Sequence, residues 1–444
     1  MIKQKTQAVQ VAALSKKDTT ISIFIIGVLF FIFGFVTWIN AILIPYFKIA
    51  CELNNFQSYL VAFAFYIAYL VMSLPAAQLL KKVGFKKGMM IGFWTMSIGA
   101  LIFVPAGLTR TYGLFLTGLF TIGMGLAILQ TAANPYITIL GDKERAAQRF
   151  SIMGICNKLA GIIAPLLFAA VILRSTDNEL FKEISLMTGS IKEEALDQLI
   201  QRVVYPYAVV AIVLLVLGFF VRYSPLPEID TDTESDELAA NNSGKKSILD
   251  FPHLVLGAVA IFFHVGSQVI AVDSIINYTT ETGVPFLEAK VFPSYTLTAT
   301  IIGYLLGISF IPKIISQLNA LKICTVLGLI LSVLVLTISG RINFLGHTTD
   351  ISVWFVVLLG FANSMIWAGV WPLALDNLGR FIKTGASLLI MGLCGNAIVP
   401  LIYGHWADGH GLRAAYWVLL PCYSYLIFYA FYGHQIKHWS FRKI

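Results

Sequence analysis

One carboxylate lies deep inside a long apolar stretch of the chain, where it could bind a cation or carry a proton. Asp273 lies within IFFHVGSQVIAVDSIINY (Ile261–Tyr278), and no other Asp or Glu has so many apolar neighbours. A charged carboxylate at the centre of a bilayer costs about 3 kcal/mol on insertion scales, so such a residue normally faces a cavity or a partner. We therefore predict that Asp273 faces a wet cavity. The alternative is a structural polar group between buried helices.

Amide and indole side chains in the other apolar stretches suit a neutral polyol. Amides both donate and accept hydrogen bonds toward hydroxyls, and an indole face can cover the apolar side of a sugar ring. The residues that we expect to bind the sugar are Trp38, Asn40, Gln130, Asn134, Asn157, Gln268, Asn277, Asn363, Trp367 and Asn396. For each amide the alternative role is an interhelical hydrogen bond, and for each Trp it is packing or an interfacial position.

Lys158 is left well inside a predicted membrane span, and we group it with Asp273 as a candidate for ion coupling. The two side chains either form a buried ion pair, which would compete with ion binding, or remain apart. The sequence leaves both arrangements open. If Asp273 is free, it could exchange a proton or hold Na⁺ with Asn277 and backbone oxygens.

Composition places these residues in a membrane protein. The chain has 444 residues, of which 58% are hydrophobic and 12% charged, and its mean hydropathy is +0.80. Apolar stretches of about 20 residues, the length that spans a bilayer, recur throughout. The sequence predicts an all-α membrane protein with twelve transmembrane helices, near 21–46, 57–80, 87–106, 111–140, 148–173, 202–222, 251–279, 290–312, 320–339, 351–376, 384–406 and 412–433.

The net charge of +8 is a topology signal and does not indicate nucleic-acid binding. About 21 of the 31 basic residues fall in the loops of one membrane face, which is the positive-inside pattern. We expect both termini in the cytoplasm and the chain in the plasma (inner) membrane. The expected partners are lipid, a small neutral sugar and a coupling cation, and we expect a monomer.

Patterns of enzyme and metal sites are missing from the sequence. There is no HExxH, no GxxxxGK[ST] and no carboxylate pair at catalytic spacing, and the five cysteines have no CxxC spacing. We therefore expect no enzymatic activity, no cofactor and no metal centre, apart from Na⁺ at Asp273 as one form of coupling.

The two halves of the chain resemble each other. FQSY at Phe56–Tyr59 matches FPSY at Phe292–Tyr295, and IMGIC at Ile152–Cys156 matches IMGLC at Ile390–Cys394. A polar, acidic segment separates them, so we divide the chain into six-helix bundles at 1–222 and 251–444 with a cytoplasmic linker at 223–250. Parallel repeats of this kind build many secondary transporters. In the repeat, Asp273 corresponds to Ala41.

Two motifs, NAILIPYFK at Asn40–Lys48 and LQTAANPYITILG at Leu129–Gly141, resemble the fucose:proton symporter family of the major facilitator superfamily, most closely its glucose/galactose branch. The resemblance implies two pseudo-symmetric six-helix bundles, alternating access, and hexose uptake driven by a proton or sodium gradient. Asn157 matches a family position. The family's proton-binding carboxylates are replaced, however, by Ala41 in the first helix and Gln130 in the fourth.

These departures lead to the hypothesis that the coupling carboxylate has moved to Asp273 on the seventh helix. The leading interpretation is a transporter of glucose or galactose, or of fucose, coupled to H⁺ or Na⁺. The alternatives within transport are an uncoupled facilitator and a carrier of an amino sugar such as N-acetylglucosamine. A membrane sugar sensor is the alternative outside transport.

Overall fold

The structure, a computed structural model, describes residues 16–139, 146–184, 186–226, 245, 247–311 and 313–439. Twelve segments within these residues are long and apolar enough to cross a membrane, which confirms the predicted all-α fold with twelve spans. We number them span 1 to span 12. An even number of crossings puts both termini at one end of the molecule, here called the terminal end, and the opposite end is called the far end.

The first six spans are mostly single helices. Span 1 consists of Lys16–Trp38 and Asn40–Ala50, and spans 2 to 6 are Asn55–Val83, Phe85–Thr109, Tyr112–Ile139, Ala146–Ile172 and Val204–Tyr223. Two short helices, Asp177–Ile184 and Gly189–Gln201, connect spans 5 and 6 at the far end.

The last six spans are more often broken. Span 7 is Pro252–Asp273 and Ile275–Glu281, span 8 is Phe292–Phe310, span 9 is Gln317–Thr337, span 10 is Ile351–Ala374, span 11 is Ile382–Met391 and Gly395–His410, and span 12 is Leu412–Ala415 and Leu419–Phe431. Short 3₁₀ turns lie at Ile248–Asp250, Gly379–Phe381, Gly392–Cys394, Tyr416–Val418 and Gly433–Gln435, and the short helix Phe286–Ala289 precedes span 8. A hairpin that the sequence analysis did not predict connects spans 9 and 10, with strand β1 (Arg341–Phe344) antiparallel to β2 (His347–Asp350).

Spans 1 and 7 are interrupted at comparable depths, and polar residues flank each break. Span 1 is broken at Ile39, next to Asn40, and span 7 at Ser274, next to Asp273. In span 7, the Ser274 hydroxyl donates to the carbonyl of Ile270 at 2.6 Å. A serine that bonds back to the preceding turn in this way competes with the backbone and often bends a helix.

Close contacts between the first and last six spans are made mainly by span 2 against span 11 and by span 5 against span 8. The division into bundles at 1–222 and 251–444 stays a prediction. Most of the predicted linker, at 227–244 and 246, lies outside the described residues.

The repeat is visible in how two glycines allow helices to approach. A Cβ placed on Gly123 of span 4 would lie 2.0 Å from the carbonyl oxygen of Phe65 in span 2. A Cβ on Gly360 of span 10 would lie equally close to the carbonyl oxygen of Thr296 in span 8. Real Cβ atoms do not approach backbone at such distances, so each site requires glycine.

We predict that Gly123→Ala destabilises the protein, because overpacking against backbone typically costs about 1–3 kcal/mol. Its thermal unfolding midpoint in detergent should fall by several degrees. Gly113→Ala is the matched control, since Gly113 lies on the same helix and a Cβ there would meet nothing within 4 Å. Equal midpoints for the two variants would contradict the assignment of Gly123 to a close helix contact.

Candidate substrate cavity

A cavity lies between the first and last six spans, at mid-depth and toward the terminal end. Its empty space, counted together with the solvent to which it opens, is about 880 Å³. Spans 1, 2, 4, 5, 7, 8, 10 and 11 all contribute to its wall. Most of the described polar groups on the wall are amides, indoles and tyrosine hydroxyls, and Lys158 is the only Lys, Arg, Asp or Glu among the described lining residues.

Most of the residues predicted from the sequence meet in this cavity. Those that line it are Trp38, Gln130, Asn134, Asn157, Lys158, Gln268, Trp367 and Asn396. They come from six different spans, so only the tertiary fold brings them together. The indole of Trp367 stacks on Trp371 with ring centroids 5.2 Å apart and planes 23° apart, which fixes the orientation of an aromatic wall.

Four predicted residues do not line the cavity in this conformation. Asn363 is fully buried and accepts a hydrogen bond from the Tyr423 hydroxyl at 3.0 Å, a contact of the kind that the sequence left as the alternative role. Asn40, Asn277 and Asp273 lie nearer the far end. Asp273 is only 1% exposed and is five residues, or about 7.5 Å along a helix, beyond Gln268.

Asp273 is buried among protein groups and does not lie against lipid. Its neighbouring residue Val272 packs with Trp38, Ala41 and Leu297 in one buried cluster. Neither carboxylate oxygen has a hydrogen-bond partner among the described residues. Asp273 does not line this cavity in the conformation seen here, and the expectation that it faces a wet cavity stays a prediction.

Lys158 contacts the cavity wall and does not pair with Asp273. Its Nζ donates to Oε1 of Gln268 at 3.2 Å and lies 4.0 Å from the centroid of the Trp38 ring. Both oxygens of Asp273 lack a hydrogen-bond partner among the described residues, while Lys158 contacts Gln268 and Trp38, so the two side chains are not paired in this conformation. Asp273 is nonetheless near enough for the two charges to interact. Lys158 of span 5 thus connects span 1 with span 7 through a cation–π contact and a hydrogen bond.

The neighbouring amides are held by further hydrogen bonds. Asn157 accepts from the Trp38 indole N–H at 3.1 Å and donates to the carbonyl of Phe30 at 3.3 Å. Gln130 donates to the Tyr69 hydroxyl at 3.0 Å, which leaves its carbonyl oxygen available. The Oδ1 of Asn396 has no partner among the described residues. These contacts orient acceptors and donors around the cavity before any ligand arrives.

Several wall residues were not predicted from the sequence. His264, Tyr66, Tyr69 and Tyr304 all line the cavity. Tyr59, Tyr66 and Tyr69 recur at intervals of seven and three residues on span 2, so they share one helix face, and this spacing could have identified them. Tyrosine is counted among the hydrophobic residues of the chain, and its hydroxyl is therefore easily missed as a polar group.

The far end is closed by contacts between spans 2 and 11. Both oxygens of the Asp408 carboxylate accept backbone hydrogen bonds at 3.0 Å, one from Asn55 and one from Phe56, at the first turn of span 2. A carboxylate is favourable there because a helix N-terminus carries partial positive charge and free N–H groups. The rings of Tyr59 and Tyr403 meet edge to face at 5.8 Å just below.

The chain was compared with known proteins. The family model described as Major Facilitator Superfamily matches residues 26–394. A "Glucose/galactose transporter" of Brucella abortus is 33% identical over 424 residues, which is 95% of this chain and 96% of that protein. The chain belongs to the Major Facilitator Superfamily. It is therefore a membrane transporter and not an enzyme.

Two further comparisons agree with membership of the superfamily. The "L-fucose-proton symporter" of Escherichia coli is 29% identical over 409 residues, 92% of each chain. A crystal structure of the Major Facilitator Superfamily transporter FucP in the outward conformation matches with a TM-score of 0.71 at 24% identity, and the match covers 93% of this chain and 98% of that one. The structural match shows that the fold is the major facilitator fold.

We predict that Asp408→Asn weakens the closure of the far end, because an amide can accept from only one N–H and its NH₂ would face the other. The ratio of closed to open molecules should fall about five-fold, the equivalent of ~1 kcal/mol. Spin labels at Ile191 and Gly409, which are both exposed at the far end, would report longer distances.

Asp376→Asn is the control, because Asp376 pairs with Lys437 at 2.9 Å at the terminal end. An unchanged distance distribution in Asp408→Asn would show that other contacts keep the far end closed.

Proposed function

We propose that the protein carries a neutral hexose across the membrane by alternating access, coupled to the movement of a proton. The observation that supports this most is the composition of the cavity wall, in which amides, indoles and hydroxyls from both halves surround a space large enough for a monosaccharide. The names of the relatives agree, since they are glucose/galactose transporters and L-fucose-proton symporters.

The sugar contacts follow from the hydrogen-bonding capacity that the wall leaves unused. The carbonyl oxygen of Gln130 accepts from a sugar hydroxyl, and Lys158 donates with the N–H groups not used by Gln268. The Trp367 face covers the apolar side of the ring. A single Lys that already contacts Gln268 and Trp38 is a poor site for an anionic substrate, so the wall favours a neutral sugar over a sugar acid.

Asp273 is the proposed coupling group because of where it lies in space. Ala41, the position at which the fucose symporters are expected to carry a carboxylate, packs against Val272, the residue directly before Asp273. A carboxylate on span 7 therefore takes the place of the one missing from span 1. Its buried oxygens without partners favour binding of a proton, and Na⁺ remains the second candidate ion.

Lys158 transmits the charge state of Asp273 to the sugar. When Asp273 carries a proton, Lys158 contacts Gln268 and Trp38, as in this structure. When the proton leaves, the negative charge that remains on Asp273 attracts Lys158 away from Gln268. This movement changes the hydrogen bonds available to the sugar. Sugar affinity and proton occupancy are linked in this way.

The bundles at 1–222 and 251–444 are the units that we propose move against each other. Their main contacts, span 2 with span 11 and span 5 with span 8, would slide while the cavity remains between them. The charge asymmetry of the loops supports an inner-membrane location with both termini in the cytoplasm. We propose that one chain, as a monomer, is sufficient for transport.

The test of the proposed function is uptake into vesicles that contain the purified protein. An imposed proton gradient should drive labelled glucose or galactose above its external concentration, and unlabelled fucose or N-acetylglucosamine, added as a competitor, will rank the sugars. Vesicles with an imposed sodium gradient in place of the proton gradient identify the ion. Downhill flux that neither gradient accelerates would establish a facilitator, and saturable binding without flux would establish a sensor.

We predict that Asp273→Asn abolishes gradient-driven accumulation, since an amide cannot take up and release a proton. Exchange of labelled for unlabelled sugar should stay within about three-fold of wild type because the cavity wall is unchanged. The control is Asp376→Asn at the terminal end, which should accumulate sugar normally. Full accumulation by Asp273→Asn would remove this residue from the coupling mechanism.

A further inference from the structure

Five side chains with unpartnered polar atoms lie together between the cavity and the closed far end. They are Asp273 with both oxygens, Asn40 and Asn277 with their Nδ2 atoms, and Tyr59 and Tyr66 with their hydroxyls. We call this group the aspartate cluster. None of these atoms makes a well-formed hydrogen bond to a described residue: the Tyr59 hydroxyl has only a weak contact with the Asn277 amide, and the Tyr66 hydroxyl only a weak contact with the Asn40 amide.

These atoms are close to one another in space. The Tyr59 hydroxyl is next to the Asn277 amide, and the Tyr66 hydroxyl is next to the Asn40 amide. Both hydroxyls also lie within electrostatic range of the Asp273 carboxylate. The helix breaks at Ile39 and Ser274 bring Asn40 and Asp273 to this position.

Such a concentration of unpartnered groups needs an occupant. Each buried polar group without a partner costs about 1–3 kcal/mol, and native proteins keep such groups rare by using ordered water. The aspartate cluster contains both kinds of group, because the carboxylate only accepts, the amide nitrogens only donate and the hydroxyls do both. Water can satisfy all three kinds, whereas a metal cation would leave the amide nitrogens unpartnered.

One member of the cluster also belongs to the cavity wall. Tyr66 is 2% exposed and lines the cavity, while its hydroxyl is next to Asn40 and within range of Asp273. Tyr66 is therefore the point at which the cluster meets the space where the sugar binds. Its ring is held by Phe65, 4.8 Å away and perpendicular, and by Tyr69, stacked at 6.2 Å.

We propose that the aspartate cluster is an internal hydrated site, separate from the sugar cavity, through which a proton reaches Asp273 past the Tyr66 hydroxyl. The proton arrives as hydronium in the cavity and is passed through hydrogen-bonded water and the Tyr66 hydroxyl. Asp273 then becomes neutral and one water molecule remains. A sugar bound against Tyr66 closes this route from the cavity. The proposal takes the transported sugar and the coupling proton from the proposed function. The hydration of the cluster does not depend on that function.

Hydroxyl-radical footprinting tests the hydration directly, since radicals generated by an X-ray pulse label side chains that contact bound water. Tyr59 is 0% exposed and does not line the cavity, yet we expect it to be labelled. Tyr423 is the control, because it is also 0% exposed but its hydroxyl donates to Asn363. Labelling of Tyr59 at least five-fold above Tyr423 is expected, and equal labelling would overturn the proposal.

Two further measurements decide where the water comes from and whether the occupant is water or a sodium ion. If the water entered only by opening of the far end, Asp408→Asn would increase Tyr59 labelling in proportion to opening, and the internal site would be refuted. If Na⁺ but not K⁺ suppressed the labelling, a sodium ion would occupy the cluster in place of water, which also refutes the proposal. Labelling that neither condition changes supports it.

Transport by Tyr66→Phe tests the route, because the substitution removes one hydroxyl and keeps the ring. Because Tyr66 also lines the cavity, sugar exchange is the reference: proton-driven uptake should slow about ten-fold more than exchange does, and Tyr423→Phe should change neither rate. Wild-type coupling in Tyr66→Phe would overturn the route. If wild-type protein moves no sugar but Tyr59 is still labelled, the proposed function fails while the hydrated site stands.

Discussion

The energetic cost of burying Asp273 and Lys158 away from water is the constraint on which the organisation of this transporter depends. Neither charge can remain in a low-dielectric interior without neutralisation or polar partners. Lys158 obtains a ring face and an amide oxygen, whereas Asp273 has no partner among the described residues. The fold therefore satisfies one buried ionisable group and leaves the other without a partner among the described residues. In the proposed mechanism, this asymmetry lets a proton select between two arrangements of the same site.

Breaks in spans 1 and 7 place the polar residues around Asp273 at one depth in the membrane. Ser274 bonds back to Ile270 and ends the first part of span 7 directly after Asp273, and span 1 is broken next to Asn40. Because the two breaks face each other, the polar side chains beside them are not covered by a further helical turn. Between this layer and the far end, Asp408 fixes the start of span 2 against span 11. The aspartate cluster thus lies between the candidate cavity and the closed far end. A structural change in either of them therefore affects the cluster.

Features that depend on neighbouring residues in the sequence could be predicted, whereas features that depend on distant residues could not. Twelve spans and a polar cavity could be predicted, because span length and isolated amides in apolar stretches are local properties of the sequence. Whether a given amide faces the cavity depends on distant partners: Asn363 is bound by Tyr423, sixty residues away, and Asn157 by Trp38. The depth at which the far end closes depends on Asp408 and Asn55, and therefore the placement of Asp273 outside the cavity could not be predicted. The tyrosines were overlooked because their rings count as apolar while their hydroxyls do not.

The proposed coupling requires that the sugar distinguish the two charge states of Asp273, a residue that does not line the cavity. A ligand shifts an equilibrium only by the difference in its affinity for the two states, so a group that contacts both the sugar and the charge is needed. Lys158 meets this requirement, because it is the only Lys, Arg, Asp or Glu among the described residues of the wall and lies within electrostatic range of Asp273. Movement of its ammonium group by a few ångströms frees or occupies Gln268. In the proposed mechanism the sugar site and the proton site are therefore separate. The amides that bind the sugar can differ between transporters of different sugars without a change at the Asp273 carboxylate.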